Sequence, residues 1–324
     1  MPVLFIALVL APLDTAAQPQ RALPPDTEIF IGEMVQKHQF DKGALRKLFV
    51  RVRTLPSILR AVSAPATARP WHEFRTRNVD PARINGGVAF WHEHSALLAR
   101  AREHYGVPEE IIVATIGIET LYGRNTGSFR VLEALTTLAF NYPPRAELFR
   151  GELEAYLLMV REDGLDPMRT RGSYAGAMGI PQFLPSSFRR YAVDFDADGR
   201  RDLMNVADAI GSVANYYREF GWQPGGTVLV PVTVGATDTE ALISAGIKPH
   251  LRVAELRRLG VTPDTPVDES ADAALFTAET ETGPRYWLGL NNFYVITRYN
   301  RSVNYALAVH ELARELRALV RPER

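Results

Sequence analysis

Glu119 stands at the end of a run, Ile111-Ile112-Val113-Ala114-Thr115-Ile116-Gly117-Ile118, whose apolar residues cover nearly the full circumference of a helix from Pro108 to Leu121. A helix that is apolar all round is a buried helix. A carboxyl group at its far end is poorly solvated, and desolvation favours the neutral form and raises the pKa. A carboxylic acid still protonated near neutral pH is what protonates the leaving oxygen when a glycosidic bond breaks. The plain structural alternative is a buried glutamate satisfied by a cation such as Arg124. A second segment, Gly172-Ser173-Tyr174-Ala175-Gly176-Ala177-Met178-Gly179-Ile180-Pro181-Gln182-Phe183, mixes small residues with polar and aromatic ones. Small residues let backbone approach a ligand closely, and Ser173 and Gln182 offer a hydroxyl and an amide to sugar substituents. A glycine-rich structural loop would have the same composition.

A third constellation is Asp194-Phe195-Asp196-Ala197-Asp198-Gly199-Arg200. Acids at positions one, three and five with glycine at six form the front of an EF-hand loop, in which the Arg200 backbone carbonyl serves at seven. Hard oxygen ligands at this spacing suit calcium in a stabilising rather than catalytic role. Position twelve, where the pattern wants a bidentate glutamate, is Asn205. The seven histidines form no zinc-ligand spacing. Ser186-Ser187 has no nucleophile-elbow context and reads as a helix cap.

These residues need a scaffold. The chain has 324 residues, 46% of them apolar, enough for one large domain or two modest ones. Lys plus Arg and Asp plus Glu each number 37, a balance that argues against nucleic acid as a partner but not against a glycan. There are no cysteines, which excludes disulfides, thiolate metal sites and thiol catalysis, and leaves no cysteine for a lipid anchor in the sequence as given. The apolar run Val3–Leu10, followed by Thr15-Ala16-Ala17, reads as a secretory signal over residues 1–17, too short to span a bilayer. This predicts a periplasmic, exported protein. Residues 18–25 read as a linker and Pro65–Pro70 as a loop.

Helical spacing runs over Ile29–Val52, with a second start capped by Asp41, and over Ile84–Tyr105, Leu132–Leu138, Ala146–Arg161, Ser186–Tyr191, Val206–Phe220 and Val303–Leu319. Composition shifts after Gly221. Thr227–Val234, Ala273–Ala278 and Tyr286–Tyr299 read as strands. The expected fold is therefore mainly α, with residues 26–223 and 299–324 forming a helical core and residues 224–298 a small sheet-containing α+β subdomain.

Three motifs together resemble a known family. Gly117-Ile118-Glu119-Thr120-Leu121-Tyr122-Gly123, Phe140-Asn141-Tyr142-Pro143 and the Ser173–Ser187 segment are similar to membrane-bound lytic murein transglycosylase B and its soluble relatives. Asp208-Ala209-Ile210-Gly211-Ser212-Val213-Ala214-Asn215-Tyr216 and Tyr299-Asn300-Arg301-Ser302 fit the same family, and the resemblance runs from about Glu28 to the C-terminus. It implies a lysozyme-like core in which Glu119 is the sole catalytic acid. That acid would cleave the N-acetylmuramic acid–N-acetylglucosamine bond of peptidoglycan without water, leaving 1,6-anhydro ends. Most glycoside hydrolases use two carboxylates. Glu133 and Glu147 read onto separate helices and Asp163 and Asp166 onto a loop, so none forms an obvious partner. By the same resemblance Ser173, Gln182, Tyr216 and Asn300 line the substrate groove, with Tyr299 and Tyr305 beside it. Asp208 would supply the last acid of a longer calcium loop. Ile180-Pro181 stands where some members carry Tyr-Gly. A hydrolytic muramidase and a noncatalytic wall-binding scaffold are the competing readings, and partners among wall-synthesis or turnover proteins stay open.

Overall fold

The computed structural model describes residues 22–63 and 69–320. The segment read as an export signal lies outside the described residues, as do half of the linker and most of the Pro65–Pro70 loop. By compactness the chain divides into two units, Met1–Val52 and Arg53–Arg324. In the first, α1 (Pro25–His38) and α2 (Lys42–Val50) pack together, with the Phe30 and Phe49 rings edge-on at 6.1 Å. Asp41 caps α2 as expected, its carboxylate accepting the Ala44 N–H at 2.6 Å.

The second unit continues with α3 (Pro56–Val62), α4 (Trp71–Asn78), α5 (Pro81–Glu93), α6 (Ser95–Tyr105) and α7 (Glu109–Thr120). The short strand β1 (Phe129–Arg130), α8 (Val131–Asn141), α9 (Ala146–Glu162), β2 (Arg171–Gly172), α10 (Pro185–Tyr191) and α11 (Val206–Glu219) follow. What sequence spacing reads as one helix over Ile84–Tyr105 is two. His94 leaves helical geometry (φ −114°, ψ 22°), its ring packing edge-on against Phe90 at 4.6 Å.

At the centre lies α7, packed against α5, α6, α11 and α15 (Val303–Val320). Ile112, Val113, Ala114, Thr115 and Ile116 have no exposed surface, so the all-round apolar pattern reports true burial. The one polar member, Thr115, is satisfied twice, by the Ile111 carbonyl at 2.8 Å and the Tyr217 hydroxyl at 2.7 Å. Glu109 and Glu110 open the helix where its dipole favours negative charge. They pair with Arg102 at 3.3 Å and Arg317 at 2.8 Å.

The remaining elements are β3 (Leu229–Val234), α12 (Thr239–Ser244), β4 (Leu251–Arg252), α13 (Val253–Arg258), β5 (Val261–Pro263), β6 (Asp272–Thr280), β7 (Gly283–Gly289) and α14 (Asn291–Tyr299). The strands form an antiparallel sheet in the order β4-β6-β7-β3-β5. Because side chains alternate along a strand, Leu275 enters a core with Val230, Val253, Leu256 and Leu288. Phe276 turns to the other face and stacks on Phe293 of α14, centroids 4.5 Å apart and planes 9° from parallel. This corrects the strand expected over Tyr286–Tyr299: the strand ends at Gly289 and a helix begins at Asn291. Asn292, almost wholly buried, ties that helix down by donating to the Gln223 and Gly226 carbonyls and accepting the Gln223 N–H. Its Phe293, Ile296 and Thr297 are spaced to bury one helical face, and that burial outweighs the β propensity of an aromatic, β-branched segment. The chain is thus mainly α with one small antiparallel sheet. No helix among the described residues is long and apolar enough to cross a membrane.

Candidate active site

Glu119 is the penultimate residue of α7, and the chain leaves that helix by an unusual turn. Leu121, Tyr122 and Gly123 all have positive φ, at 51°, 61° and 84°. Two adjacent non-glycine residues in this region cost on the order of 1–3 kcal/mol each, so surrounding bonds must hold them. Leu121 N–H donates to the Gly117 carbonyl at 3.1 Å and Asn125 N–H to that of Thr120 at 2.9 Å. The turn aims the Tyr122 ring back along the helix, where its hydroxyl donates to the Arg83 carbonyl at 2.6 Å. A Cβ at position 117 would lie 2.4 Å from that hydroxyl, which is why glycine precedes the acid by two residues.

The Glu119 side chain is half-buried, but its carboxyl is enclosed by protein. Tyr305, on α15 and only 3% exposed, donates its hydroxyl to Glu119 Oε1 at 2.6 Å. Burial pushes the carboxyl pKa up to about 7, and the Tyr305 bond pulls it back in part. Among the described residues no other charge shifts it. Arg124, the cation that a purely structural glutamate would call on, is exposed. Glu133 is held by Arg53 at 3.2 Å and Asp163 by Arg201 at 2.9 Å.

A layer of tyrosines surrounds the acid. The Tyr299 and Tyr305 rings lie 6.3 Å apart and nearly parallel, and Tyr216 meets Tyr299 at 4.8 Å. Burial raises the phenols of Tyr299 and Tyr305 well above the ordinary tyrosine value, and the Glu119 charge raises them further. Tyr299 donates to the Pro181 carbonyl at 2.5 Å, which fixes the glycine-rich loop beside it. Tyr216 is buried, and its hydroxyl is spent on the Arg298 carbonyl at 2.6 Å.

The glycine-rich loop folds on itself. Met178 and Phe183 exchange backbone bonds at 2.8 and 3.1 Å, and Ser173 Oγ accepts the Ala177 N–H at 3.0 Å. A Cβ on Gly127, which has φ 92°, would lie 2.1 Å from the Gly172 carbonyl, so the two backbones meet at a distance only glycine permits. Gln182, itself at φ 53°, donates from Nε2 to the Thr126 and Gly179 carbonyls at 3.1 and 2.9 Å. Its free resource is therefore the acceptor Oε1. Asn300 caps the end of α14 and is exposed. Thr120, next to the acid, donates its hydroxyl to the Ile180 carbonyl at 2.8 Å. One connected cluster thus brings together Glu119, Tyr305, Tyr299 and the Pro181-Gln182 strip.

In the acidic loop, Asp194, Asp196 and Asp208 each place a carboxylate oxygen within 4.8 Å of the others. Asp198 is not one of the three, and its Oδ1 accepts the Arg200 N–H at 2.8 Å. Asp208 is buried and accepts the N–H groups of Phe195 and Asp202 at 2.7 and 2.8 Å. Three converging hard oxygens fit a calcium ion in chemistry. Arg100 donates to the Phe195 carbonyl and stacks over its ring at 3.9 Å. The loop reaches the site through backbone, Ile180 N–H donating to the Leu203 carbonyl at 2.9 Å. Ser186 is not the α10 cap residue; Leu184 holds that place. Ser186 gives its N–H and hydroxyl instead to Glu152 of α9, at 2.9 and 2.6 Å.

Sequence reading did not anticipate Tyr217, Tyr122 or Thr120 as supports of the site. The pair Leu121-Tyr122 ahead of Gly123 carries no local turn signal, since neither residue favours positive φ.

Comparison with known proteins places this architecture. A family model described as a transglycosylase SLT domain matches residues 25–314. Membrane-bound lytic murein transglycosylase B of Escherichia coli (strain K12) is 44% identical over 298 residues, 89% of this chain and 81% of that protein. The Escherichia coli lytic transglycosylase Slt35, solved in complex with calcium, is 43% identical with a TM-score of 0.83, over 91% of this chain and 94% of that one. SltB3 of Pseudomonas aeruginosa, solved in complex with NAG-NAM-pentapeptide, is 31% identical with a TM-score of 0.78, over 90% of this chain and 78% of that one. The helical core is lysozyme-like, as in these structures, and the chain belongs to the transglycosylase SLT domain family.

Proposed function

We propose that the protein is a lytic transglycosylase that cleaves the β-1,4 bond from N-acetylmuramic acid to N-acetylglucosamine in peptidoglycan, with Glu119 as its only catalytic carboxylate. The observation that carries this reading is the solitary enclosed carboxyl, raised to about 7 and held by a tyrosine rather than by a cation or a second acid. Such a group keeps a large share of its protons near neutral pH and can give up its proton without a large penalty. Glu119 donates that proton to the glycosidic oxygen as the bond from the muramyl C1 breaks. The substrate's own N-acetyl oxygen stabilises the cation developing at C1. Glu119, now a carboxylate stabilised by the Tyr305 hydroxyl, takes the proton of the muramyl C6 hydroxyl. O6 then bonds to C1, which closes the 1,6-anhydro ring and restores the acid.

Ser173, Gln182 and Asn300 offer polar atoms to the sugars, and the half-buried Tyr299 ring, backed by the nearly parallel and buried Tyr305, offers a flat apolar face beside the groove. Tyr216 contributes as the support under Tyr299, since its hydroxyl is already engaged. Asp194, Asp196, Asp198 and Asp208 would hold calcium, with the Arg200 carbonyl completing the ligands. The ion would supply loop stability. Peptidoglycan lies outside the cytoplasm, so the reading requires an exported, periplasmic protein. Mass analysis of muropeptides released from purified sacculi tests the proposal. Products lighter by one water, with anhydro-muramyl ends, are expected. Reducing ends would mean a hydrolytic muramidase, and no release at all a wall-binding scaffold.

A further inference from the structure

Where α14 hands over to α15 the surface sinks into a cleft of about 300 Å³ lined by Ile247, Thr297, Arg298, Arg301, Ser302 and Val303. We propose that this cleft is an anion subsite that takes a carboxylate of the peptide stem borne by the glycan strand. The inference rests on the glycan-cleaving reading above and adds what that reading lacks, a determinant that separates stem-bearing from bare strands.

Charge on these two arginines is unspent. Arg53, Arg83, Arg189, Arg201 and Arg317 each meet a carboxylate. Among the described residues neither Arg298 nor Arg301 does. The Arg298 guanidinium lies over the Tyr294 and Phe220 rings at 5.5 and 5.9 Å, contacts that hold its face and leave its N–H edge free to donate. Arg301 is exposed at the rim. A planar fork of donors matches a carboxylate bidentately, which a sugar hydroxyl does not require.

The cleft floor adds to this field. Ser302 caps the 18-residue α15, its Oγ accepting the Tyr305 N–H at 3.3 Å and its carbonyl the Ala306 N–H at 3.1 Å. The first amides of that helix and the positive end of its dipole favour an anion. Thr297 has already given its hydroxyl proton to the Tyr294 carbonyl at 2.6 Å. The cationic groups therefore dominate. With a formal net charge of zero over the chain, this is a local feature and not part of a general positive surface.

Position ties the cleft to the chemistry. Arg298, Arg301 and Glu119 all act electrostatically on one group, the Tyr216 hydroxyl, and Tyr299 and Asn300 stand between the two arginines in the chain. Ile247, from the segment between α12 and β4, contributes a wall, which gives the sheet-containing insertion a part in substrate choice. A strand lying along Tyr299 and Asn300 would carry its stem past this cleft, and the stem, unlike the N-acetylglucosamine residues, bears carboxylates.

The test compares intact glycan strands with strands stripped of stems by an amidase, using wild type, Arg301→Gln and the double variant Arg298→Gln/Arg301→Gln. On intact strands kcat/KM should fall about fivefold for the single and on the order of thirtyfold for the double variant, through KM. On stripped strands the fall should stay within about twofold. Arg298→Lys keeps the charge without the fork and should fall between wild type and the glutamine form. Equal losses on both strands, or no loss on either, would overturn the subsite. A Glu119→Gln background, in which binding of a disaccharide-pentapeptide and of the bare disaccharide is measured by calorimetry, separates this inference from the parent reading. Stem-dependent binding that the arginine variants abolish supports the subsite even if wild type releases no anhydro ends. Stem-independent binding defeats the subsite even if it does.

Discussion

In the proposed reaction Glu119 serves two proton transfers through one enclosed carboxyl, so its removal has consequences for rate and for stability. Glu119→Gln should lower the release of anhydro-muropeptides by at least about 100- to 10,000-fold, the range general acid–base transfer contributes, at equal folded concentration. Its stability should change in the opposite direction and with pH. The folded-state pKa of about 7 lies above the ordinary 4.5. Between those values the folded protein holds a proton that the unfolded chain has released, so wild-type stability falls as pH rises through that window. The glutamine variant has no such dependence and should gain on the order of 1–3 kcal/mol over wild type at pH 8, with no linked gain below about pH 4.5. Denaturant unfolding at both pH values checks this, and a difference that does not grow with pH would show that the carboxyl is not held protonated. Tyr305→Phe removes the one bond that stabilises the Glu119 carboxylate. The Glu119 pKa should rise further and the alkaline limb of the kcat/KM profile should move to higher pH, while kcat drops because the second step needs the carboxylate. An unmoved limb would make Tyr305 a packing residue only.

Between the acid and the molecular surface run a few short connections rather than one large element. Thr120 bonds Ile180, and Ile180 bonds Leu203 at the end of the acidic loop. Ordering that loop therefore bears on the turn that presents Glu119. Calcium that binds only the folded protein stabilises it by mass action, about 2.7 kcal/mol at a hundredfold excess over Kd. Wild type should show a rise in Tm on calcium addition, and Asp196→Asn should lose most of it. Each of Asp196 and Asp208 accepts two hydrogen bonds, but Asp196 is exposed and Asp208 is buried on two backbone amides, so Asp196 is the probe whose loss disturbs the loop less without an ion. A full calcium response in Asp196→Asn would remove that residue from the site.

Stability is expected to be spread unevenly along the chain. The helix α7 sits inside four others with a stretch of side chains that water does not reach, while α12 has no buried residue. Amide exchange should therefore be slowest at residues 112–116, which open only with global unfolding, and fast at residues 239–244, which can open locally. Hydrogen exchange read by mass spectrometry measures both segments in one experiment, and comparable protection in the two would contradict the layered burial.

Much of this was readable from local pattern. An apolar run with no polar face can only be buried, so the run itself marks Glu119 as a desolvated carboxyl. Acid spacing points to a cation loop, and Asp41 marks a helix start. What pattern could not supply depends on residues far apart in the chain. The bond that holds Glu119 comes from Tyr305, 186 residues away. Buried Asp208, at the start of α11, brings its carboxylate to within 4.8 Å of those of Asp194 and Asp196. Residues 291–299, aromatic and β-branched, suit a strand or a buried helix equally, and stacking of Phe293 on Phe276 selects the helix. Periodicity and propensity act over a few neighbouring residues. Hydrogen bonds to a buried group and packing across elements are chosen only when the chain closes on itself.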